Sequence, residues 1–226
     1  MMTDQKRPPV LYEDAAVIVA CKPSGILCAP AEGKRERSFP DLLSPDAPLY
    51  VVHRLDRPTA GVIVYAKTAA AASYLSTKGE MTKEYLAVCE GLPDAPSATL
   101  TDLLFFDRAK DKSFVVDRVR RGVKEARLSY KVLATLLPPT ELPTPVQPRP
   151  PLSLLSVTLD TGRTHQIRAQ FSHRRLPLVG DRRYGAKTGG SLALFACRLS
   201  FCHPTSGKRM TIEAPAPSAE PFSYFS

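Results

Sequence analysis

The sequence predicts a mixed α and β fold in which strands outnumber helices. One observation is the recurrence of short apolar and β-branched runs, such as LYVV, GVIVYAKT and LSLLSVTLD, between turn residues. A second is that helix signals are confined to TAAAASYLSTKG and THQIRAQFSH. The third is that 226 residues, 43% of them hydrophobic and 23% charged, can bury a sizeable core. We therefore expect a single domain over residues 1–226.

The first strands lie close to the N-terminus. The segment VLYEDAAVIVACKPSG predicts two short strands around a turn at Glu13 and Asp14, and Pro23 and Gly25 close the second strand. Residues 26–48 are rich in loop residues and contain four prolines. We expect no domain boundary there.

Asp56 falls between two predicted core strands. LYVVHRLD is an apolar strand that runs into a polar turn, and GVIVYAKT is a second strand. A helix should follow, because Thr68 can cap its N-terminus and Gly79 can end it. KEYLAVCEG then predicts a strand that gives Tyr85 a defined face.

A proline-rich segment interrupts the second half of the chain. Residues 99–137 predict several strands with basic turns. Residues 138–151, PPTELPTPVQPRPP, have seven prolines in fourteen positions and cannot form regular structure. Strand pattern resumes at once in LSLLSVTLD, so we expect a surface-loop insertion between neighbouring strands.

The last predicted helix is THQIRAQFSH. Thr164 is its expected cap, Ile167 and Phe171 lie four apart on its buried face, and Arg168 lies off that stripe. The closing strands are LALFACRLSF and RMTIEAPA, joined by HPTSGK as a turn.

The charge distribution favours a polyanionic partner. The formal net charge is +9, from 31 Lys and Arg against 22 Asp and Glu. Residues 163–187 carry seven basic residues and one acid, which gives +6 within 25 residues. A second basic stretch, residues 107–127, could instead be a solvated hairpin.

The cysteines indicate reduced thiols in a cytoplasmic protein. They are five in number, scattered, and embedded in apolar runs. No CxxC pair occurs, and the spacing of Cys197, Cys202 and His203 matches no common zinc site, so we expect no metal. The N-terminus has no apolar signal core and no run of 18 apolar residues occurs, so we expect no membrane segment.

Two segments contain residues that could take part in chemistry, and the residues alone leave two roles open for each of them. Asp56, flanked by Arg54, Arg57 and Pro58, could be a turn carboxylate paired with arginine or a catalytic group. In TGRTHQIR a helix start follows a tight turn, with cationic side chains close together. This segment could hold a phosphate or could be a capped helix whose charged face meets water.

Taken together, three segments resemble the RluA-like family of pseudouridine synthases. They are HRLDRPTAGVIVYAKT, KEYLAV and TGRTHQIRAQFSHRRLPLVGDRRYG, in the family's order and spacing. VLYEDAAVIVACKPSGIL resembles the family's first motif and LFACRLSFCHPTSGKRMTIEAP its closing strands, so the resemblance spans nearly the whole chain. It implies an α+β catalytic core with a long mixed, mostly antiparallel sheet, flanked by helices and loops around a central cleft.

The resemblance also implies a site. Asp56 would be the catalytic aspartate, Tyr85 the aromatic residue against the target base, and Arg168 the ionic partner of the aspartate. Arg54 would replace the flipped nucleotide, and Leu194, or the adjacent Phe195, would pack on the uracil. The remaining substrate-binding residues that it implies are His53, Arg57, Arg163, Thr164, His165 and Gln166.

Two positions depart from the family's pattern. Ala60 stands where Ser is usual, and Gln170 where His is frequent. Neither change removes a proposed catalytic group. Only about ten residues precede the first predicted strand, so we expect the form without the extra N-terminal RNA-binding domain.

The expected function is the isomerisation of uridine to pseudouridine in structured RNA, ribosomal or transfer RNA. The reaction has no net redox change, so no cofactor is expected, and a monomer without a required protein partner should suffice. The alternative is a noncatalytic RNA-binding or ribosome-assembly factor on the same scaffold. A nuclease is disfavoured, because no histidine lies in a carboxylate cluster suited to a metal.

Overall fold

The structure, a computed structural model, describes residues 8–30, 36–138 and 150–225. It contains two compact units. The first unit comprises Met1–Lys83 and Ala196–Pro215, and the second unit comprises Glu84–Phe195 and Ala216–Ser226. The predicted single domain over residues 1–226 stays a prediction. Of the predicted proline-rich insertion, residues 139–149 lie outside the described residues.

Strands dominate both units. In chain order the strands are β1 (Val10–Glu13), β2 (Val17–Lys22), β3 (Tyr50–Val51), β4 (Ala60–Ala66), β5 (Thr82–Glu90), β6 (Ser97–Asp107), β7 (Lys112–Val116), β8 (Val123–Leu136), β9 (Leu152–Leu159), β10 (Leu194–Cys202) and β11 (Arg209–Glu213). Among the described residues the α-helices are α1 (Phe39–Leu43), α2 (Ala69–Thr77) and α3 (Gln166–His173), and 3-10 turns cover Arg182–Tyr184 and Phe222–Phe225.

In the first unit the sheet order is β1-β2-β4-β10, with β3 on β4 and β11 on β10. The pairs β1–β2, β2–β4, β3–β4 and β10–β11 are antiparallel. β2 and β4 are buried along almost their whole length, which explains why both are continuous apolar runs rather than alternating ones. The link between β3 and β4, which carries Asp56, therefore starts and ends beside the core of this unit.

The two helices of the first unit differ in how well the sequence predicted them. α2 is confirmed, including its cap, because the Thr68 hydroxyl accepts from the backbone N–H of Ala71 at 3.1 Å. α1 lies in the segment that we expected to be loop. The N–H and the hydroxyl of Ser38 both donate to one Asp41 oxygen, at 2.8 and 2.7 Å, and this contact holds the first turn.

In the second unit the sheet order is β5-β9-β8-β6-β7. The long pairs β8–β9, β6–β8 and β6–β7 are antiparallel. Helix α3 packs on this sheet, where Ala169 joins Leu104 and Ala126 in a buried cluster with Tyr184. The packing of α3 on this sheet therefore positions the TGRTHQIR segment.

The start of α3 differs from the prediction. The N-cap residue is His165, not Thr164, and it has a left-handed backbone with φ of 52°. The side chain of His165 makes no capping hydrogen bond. Arg168, expected away from the buried stripe, is itself buried, because α3 is covered on all sides from Gln166 to Phe171. Polar partners, described below, compensate this burial.

The α+β fold class is confirmed by the strand-dominated sheet with few helices. Among the described residues, no helix combines the length and the apolar character needed to cross a membrane.

Gly61 should be irreplaceable, because the backbone of β10 passes directly over it. A Cβ at this position would lie 2.2 Å from the Ala196 carbonyl oxygen, and its φ is +123°. We expect Gly61→Ala to lower the free energy of unfolding by about 3 kcal/mol or more in urea titrations. Gly207→Ala is the matched control, since φ there is +67° but no atom lies within 4 Å. It should cost about 1 kcal/mol. Equal losses would contradict the steric explanation.

Candidate active site

Asp56 lies in the link between β3 and β4 and is partly exposed. Its carbonyl oxygen accepts from the N–H of Thr59 at 2.9 Å, which closes a tight turn over Arg57 and Pro58. The preceding residue, Leu55, is buried, and its N–H and carbonyl both contact the Cys28 thiol, at 3.3 and 3.1 Å. The backbone is therefore fixed on both sides of the carboxylate.

A buried lysine stabilises this turn through hydrogen bonds to backbone carbonyls. The side chain of Lys22 is 0% exposed, and its ammonium donates to the carbonyls of Pro23 at 2.8 Å, Ile26 at 2.9 Å and Arg57 at 3.1 Å. Burial lowers the pKa of Lys22, while the neighbouring Asp56 charge acts in the opposite direction. The three carbonyl dipoles also stabilise the cation. Lys22 thus joins the KPSG turn to the residue directly after Asp56.

Further bonds join the same two segments. The N–H of Gly25 donates to the carbonyl of Arg57 at 2.9 Å, and the Nε of Arg57 donates back to the carbonyl of Gly25 at 2.8 Å. The Ser24 hydroxyl donates to the carbonyl of Pro58 at 2.7 Å. The guanidinium of Arg57 also pairs with Glu36 at 2.5 Å. Arg57, predicted to bind substrate, therefore has a structural part in the loop, and its contact with substrate stays a prediction.

His53 is buried and uncharged. Its Nε2 accepts from the N–H of Val64 at 3.1 Å, so the proton of the neutral ring lies on Nδ1. Burial, with a smaller contribution from Lys83, lowers the pKa of His53 to about 3. Within the described part of the chain, its Nδ1 and the Thr59 hydroxyl oxygen are buried without a hydrogen-bond partner. Arg54, between them in sequence, is exposed.

In the second unit, the predicted residues Tyr85 and Leu194 lie on β5 and β10. Both are buried, at 5% exposure each, and Phe195 is buried as well. The predicted strand around Tyr85 is confirmed. The roles of Tyr85 and Leu194 against a uracil stay predictions.

Arg168 is held by a bidentate ion pair inside the second unit. Its Nε lies 2.7 Å and its Nη2 2.9 Å from the two carboxylate oxygens of Asp181. The two side chains are 6% and 2% exposed. The Cζ of Arg168 also lies 4.8 Å from the centre of the Tyr184 ring. A planar guanidinium held at two nitrogens and against a ring has one orientation.

The TGRT turn before α3 is stabilised by Gln166. Its side-chain oxygen accepts from the Thr161 hydroxyl at 2.8 Å and from the N–H of Arg163 at 3.0 Å. Its amide nitrogen donates to the carbonyl of Arg127 at 3.0 Å. The guanidinium Nε of Arg163 donates to the carbonyl of Glu125 at 2.8 Å, and Thr164 is exposed. Contacts of these residues with substrate stay predictions.

Gln170, the second departure from the family's pattern, is fully buried. Its amide nitrogen donates to Asp102 at 2.7 Å. Asp102 also pairs with Arg174 at 2.8 Å. The substitution therefore concerns packing between α3 and β6 in this structure.

The structure brings the predicted residues together in two groups. His53, Arg54, Asp56 and Arg57 share one loop of the first unit, whereas the group from Arg163 to Arg168 shares one turn and helix of the second. That Asp56, Tyr85 and Arg168 converge on one nucleotide stays a prediction.

Sequence reasoning missed four supporting side chains: Lys22, Cys28, Asp181 and Tyr184. Lys22 stands in the KPSG segment, whose proline and glycine predicted only the end of a strand, and Cys28 follows that segment three residues later. Asp181 and Tyr184 stand in VGDRRYG, within the quoted third motif. A charged residue in an apolar strand, such as Lys22 in VIVACK, was the available signal, because a buried charge needs partners.

No group of three or more potential metal ligands occurs in the ranges that the structure describes.

Replacing Lys22 should loosen the Asp56 turn. Lys22→Met keeps the length of the side chain but leaves the Pro23 and Ile26 carbonyls without their donor. We expect the free energy of unfolding to fall by about 2–4 kcal/mol in urea titrations. The control is Lys67→Met, whose partly exposed ammonium pairs with Glu13 and donates to the Asp14 carbonyl, and which should cost about 1 kcal/mol or less. Similar losses in both variants would show that the buried bonds carry no special weight.

The neutral state of His53 should make stability depend on pH. Its pKa is about 3 in the folded protein and about 6.5 in an unfolded chain. A lowered folded-state pKa gives a contribution that is complete above about pH 6.5 and is lost as the pH falls towards 3. Between about pH 7 and pH 5 the wild type should lose about 2 kcal/mol more than His53→Gln, measured by urea unfolding. If the free energies of unfolding of the wild type and of His53→Gln changed equally with pH, the buried neutral state of His53 would be contradicted.

Comparison with known proteins identifies the family. Residues 16–173 match the family model described as RNA pseudouridylate synthase. A ribosomal large subunit pseudouridine synthase D of Neisseria meningitidis is 32% identical, with 92% of this chain and 58% of that protein covered. An uncharacterized RNA pseudouridine synthase of Bacillus subtilis is 30% identical, with 92% and 68% covered. The chain thus spans between about half and two thirds of these relatives.

Solved structures agree on the fold. Human RNA pseudouridylate synthase domain containing 1 superposes with a TM-score of 0.74 at 21% identity, over 97% of this chain and 88% of that one. Human RNA pseudouridylate synthase domain containing 4 gives 0.68 at 20% identity, over 92% and 88%. The match of the family model over most of the chain confirms what the motifs predicted: this chain belongs to the RNA pseudouridylate synthase family.

Proposed function

We propose that this chain is an RNA pseudouridine synthase that isomerises uridine to pseudouridine in structured RNA, with Asp56 as its catalytic carboxylate. The observation that carries the proposal is the Asp56 turn. Its backbone is held by the buried Lys22 ammonium and by the bonds to Gly25, although it bears a partly exposed carboxylate. A surface turn would not need this support, whereas a reacting group that must be placed accurately does.

The chemistry suits a carboxylate. The N1–C1′ bond of the uridine breaks, the base turns, and its C5 joins C1′. C5 then loses its proton and N1 takes one up, so that no atom is gained or lost overall. An ionised carboxylate near C1′ can capture the sugar or stabilise positive charge on it, as in retaining glycosidases. No redox step occurs, and the proposal needs no cofactor.

Arg168 is the proposed ionic partner of Asp56. An arginine beside a carboxylate keeps it ionised and aims it, and a lysine cannot reproduce the planar fork. The bidentate pair with Asp181 supports this role, because it gives the guanidinium one orientation. Arg168→Lys should therefore be severely impaired in turnover.

Tyr85 and Leu194 are proposed to contact the uracil. An aromatic face and an apolar side chain can hold a flipped base by stacking and by packing. The hydroxyl of Tyr85 is also proposed to relay the C5 proton, since its oxygen accepts that proton as its own O–H proton is given up towards N1. Their burial supports this role, because the base would then react away from water.

The remaining predicted residues are proposed to handle the RNA. The target atom is inaccessible in stacked RNA, so a long side chain must fill the gap when the nucleotide flips, and the exposed Arg54 beside Asp56 can do so. Arg163 and Thr164 are proposed to contact the backbone. His53, Arg57, His165 and Gln166 would act from within the two loops that they stabilise.

Ribosomal RNA is the first substrate to test. Relatives from Neisseria meningitidis and Buchnera aphidicola are named as ribosomal large subunit pseudouridine synthases. We place the protein in the cytoplasm, where its RNA is found, as a monomer that needs no protein partner.

Removing the Asp56 carboxylate should abolish turnover. We expect Asp56→Ala to lower the rate of tritium release from RNA carrying [5-³H]uridine by roughly a thousandfold or more, while circular dichroism and RNA affinity stay unchanged. Asp46→Ala removes an exposed aspartate of the same unit and should keep full activity. Mapping pseudouridine in the RNA of a deletion strain would then identify the site.

Two results would overturn the proposal. Substantial turnover by Asp56→Ala would remove this residue from the mechanism. Tight RNA binding by the wild type without release from ribosomal or transfer RNA would instead favour the noncatalytic RNA-binding factor.

A further inference from the structure

We infer that Asp181 and Tyr184, in the segment VGDRRYG, are positioning residues that fix the guanidinium of Arg168 for catalysis. The inference rests on the proposed function, in which Arg168 is the partner of Asp56. No step of the proposed chemistry is assigned to a residue of this segment. All the contacts that support the inference lie inside the second unit.

The ion pair itself determines the plane of the guanidinium. Asp181 contacts Nε and Nη2 at 2.7 and 2.9 Å, so both of its oxygens lie along one edge of the fork. Both groups are almost completely buried. A buried ion pair stabilises a fold little compared with apolar residues of the same volume, because both charges lose their hydration. A charge pair in this place therefore suggests a requirement for orientation rather than for stability.

The backbone holds Asp181 in place. Its carbonyl accepts from the N–H groups of Tyr184 at 2.9 Å and Ala186 at 3.1 Å, which makes a short 3-10 turn. The preceding Gly180 has φ of +76°, and a Cβ there would lie 2.2 Å from the Ser191 carbonyl oxygen. The carboxylate consequently projects from a segment with little freedom.

Tyr184 connects Arg168 with the start of α3. Its ring lies 4.8 Å from the Cζ of Arg168 and belongs to the buried cluster under α3. Its hydroxyl oxygen accepts from the N–H of Ser113 at 2.8 Å and lies 3.1 Å from the Nδ1 of His165. His165 is the N-cap residue with the left-handed backbone, a conformation that is unfavourable for a residue with a side chain unless its surroundings support it. One side chain thus supports both the helix start and the guanidinium.

The other charged residues of the segment differ. Arg182 and Arg183 are exposed, and Arg183 pairs with the exposed Asp111. Only Asp181 and Tyr184 of this turn face inward, and both contact Arg168.

Asp181→Asn tests the inference in single-turnover assays. The amide keeps the volume, but its NH₂ group faces an arginine N–H in place of an acceptor. We expect the rate of pseudouridine formation to fall about tenfold to a hundredfold, with RNA affinity within about threefold of the wild type. Asp102→Asn is the matched control, since Asp102 forms a bidentate pair with Arg174 at the other end of α3. It should lower the thermal midpoint but not the rate at a temperature well below that midpoint.

A double-mutant cycle separates positioning from a general loss of structure. If Asp181 acts through Arg168, Asp181→Asn should lower the rate of Arg168→Lys by less than about threefold, although it lowers the wild-type rate much more. Equal factors in both backgrounds would overturn the inference, and so would a wild-type rate in Asp181→Asn itself.

A measurement without RNA keeps the inference independent of the proposed function. The Arg168 Nε–H, paired and buried, should give an NMR signal that exchanges slowly with water. Asp181→Asn should make it exchange rapidly, while Asp102→Asn should not. The protein could show this difference in exchange between the two variants and yet release no tritium from RNA. That result would overturn the proposed function but would still establish that Asp181 fixes the Arg168 guanidinium. If the Arg168 Nε–H of the wild type exchanged rapidly with water, Asp181 would not fix the guanidinium, and the inference would be overturned.

Tyr184→Phe covers the case in which Asp181→Asn does not fold. It keeps the ring against Arg168 and removes the hydroxyl bonds to Ser113 and His165. We expect a rate loss of about threefold to tenfold, with RNA affinity unchanged and with little further loss in the Arg168→Lys background. An unchanged rate would exclude Tyr184 from the positioning role.

Discussion

The buried ammonium group of Lys22 is the interaction on which the candidate carboxylate depends. A charge with no exposure to water must find several dipoles, and here it takes the carbonyls of Pro23, Ile26 and Arg57. The first two lie within four residues of Lys22, in and directly after the KPSG turn, and the third lies next to Asp56. The requirement to satisfy one cation thus fixes two loops against each other, while Asp56 itself stays partly exposed.

The second unit uses the same physical principle with a different pair of charges. Arg168 is buried on α3 and is held by Asp181 and against the ring of Tyr184. In both units a long cation is almost completely removed from water and its direction is set by partners from another segment. Burying these charges lowers the stability of the fold. The result is accurate placement of groups that the proposed chemistry needs.

Much of this could be predicted because it depends on local rules. The paired strands around Asp14, the capped helix after Thr68 and the position of Asp56 between two strands follow from apolar pattern, turn residues and capping. α1 was missed, although Ser38 and Asp41 carry a short capping signal, because five residues are too few for a periodic pattern. The cap of α3 was assigned to Thr164 because a left-handed His165 breaks the usual preference.

By itself, the sequence determined the family, the α+β class and the residues proposed for the site, because motifs and periodicity are local properties of the chain. The tertiary structure decided which side chains support those residues. Lys22 meets Arg57 across 35 positions, and Tyr184 meets Ser113 across 71. No local rule specifies such pairs, since they depend on which segments the folded sheets bring together. Asp56 was therefore found as a motif residue, and the bonds that hold its backbone were found only in three dimensions.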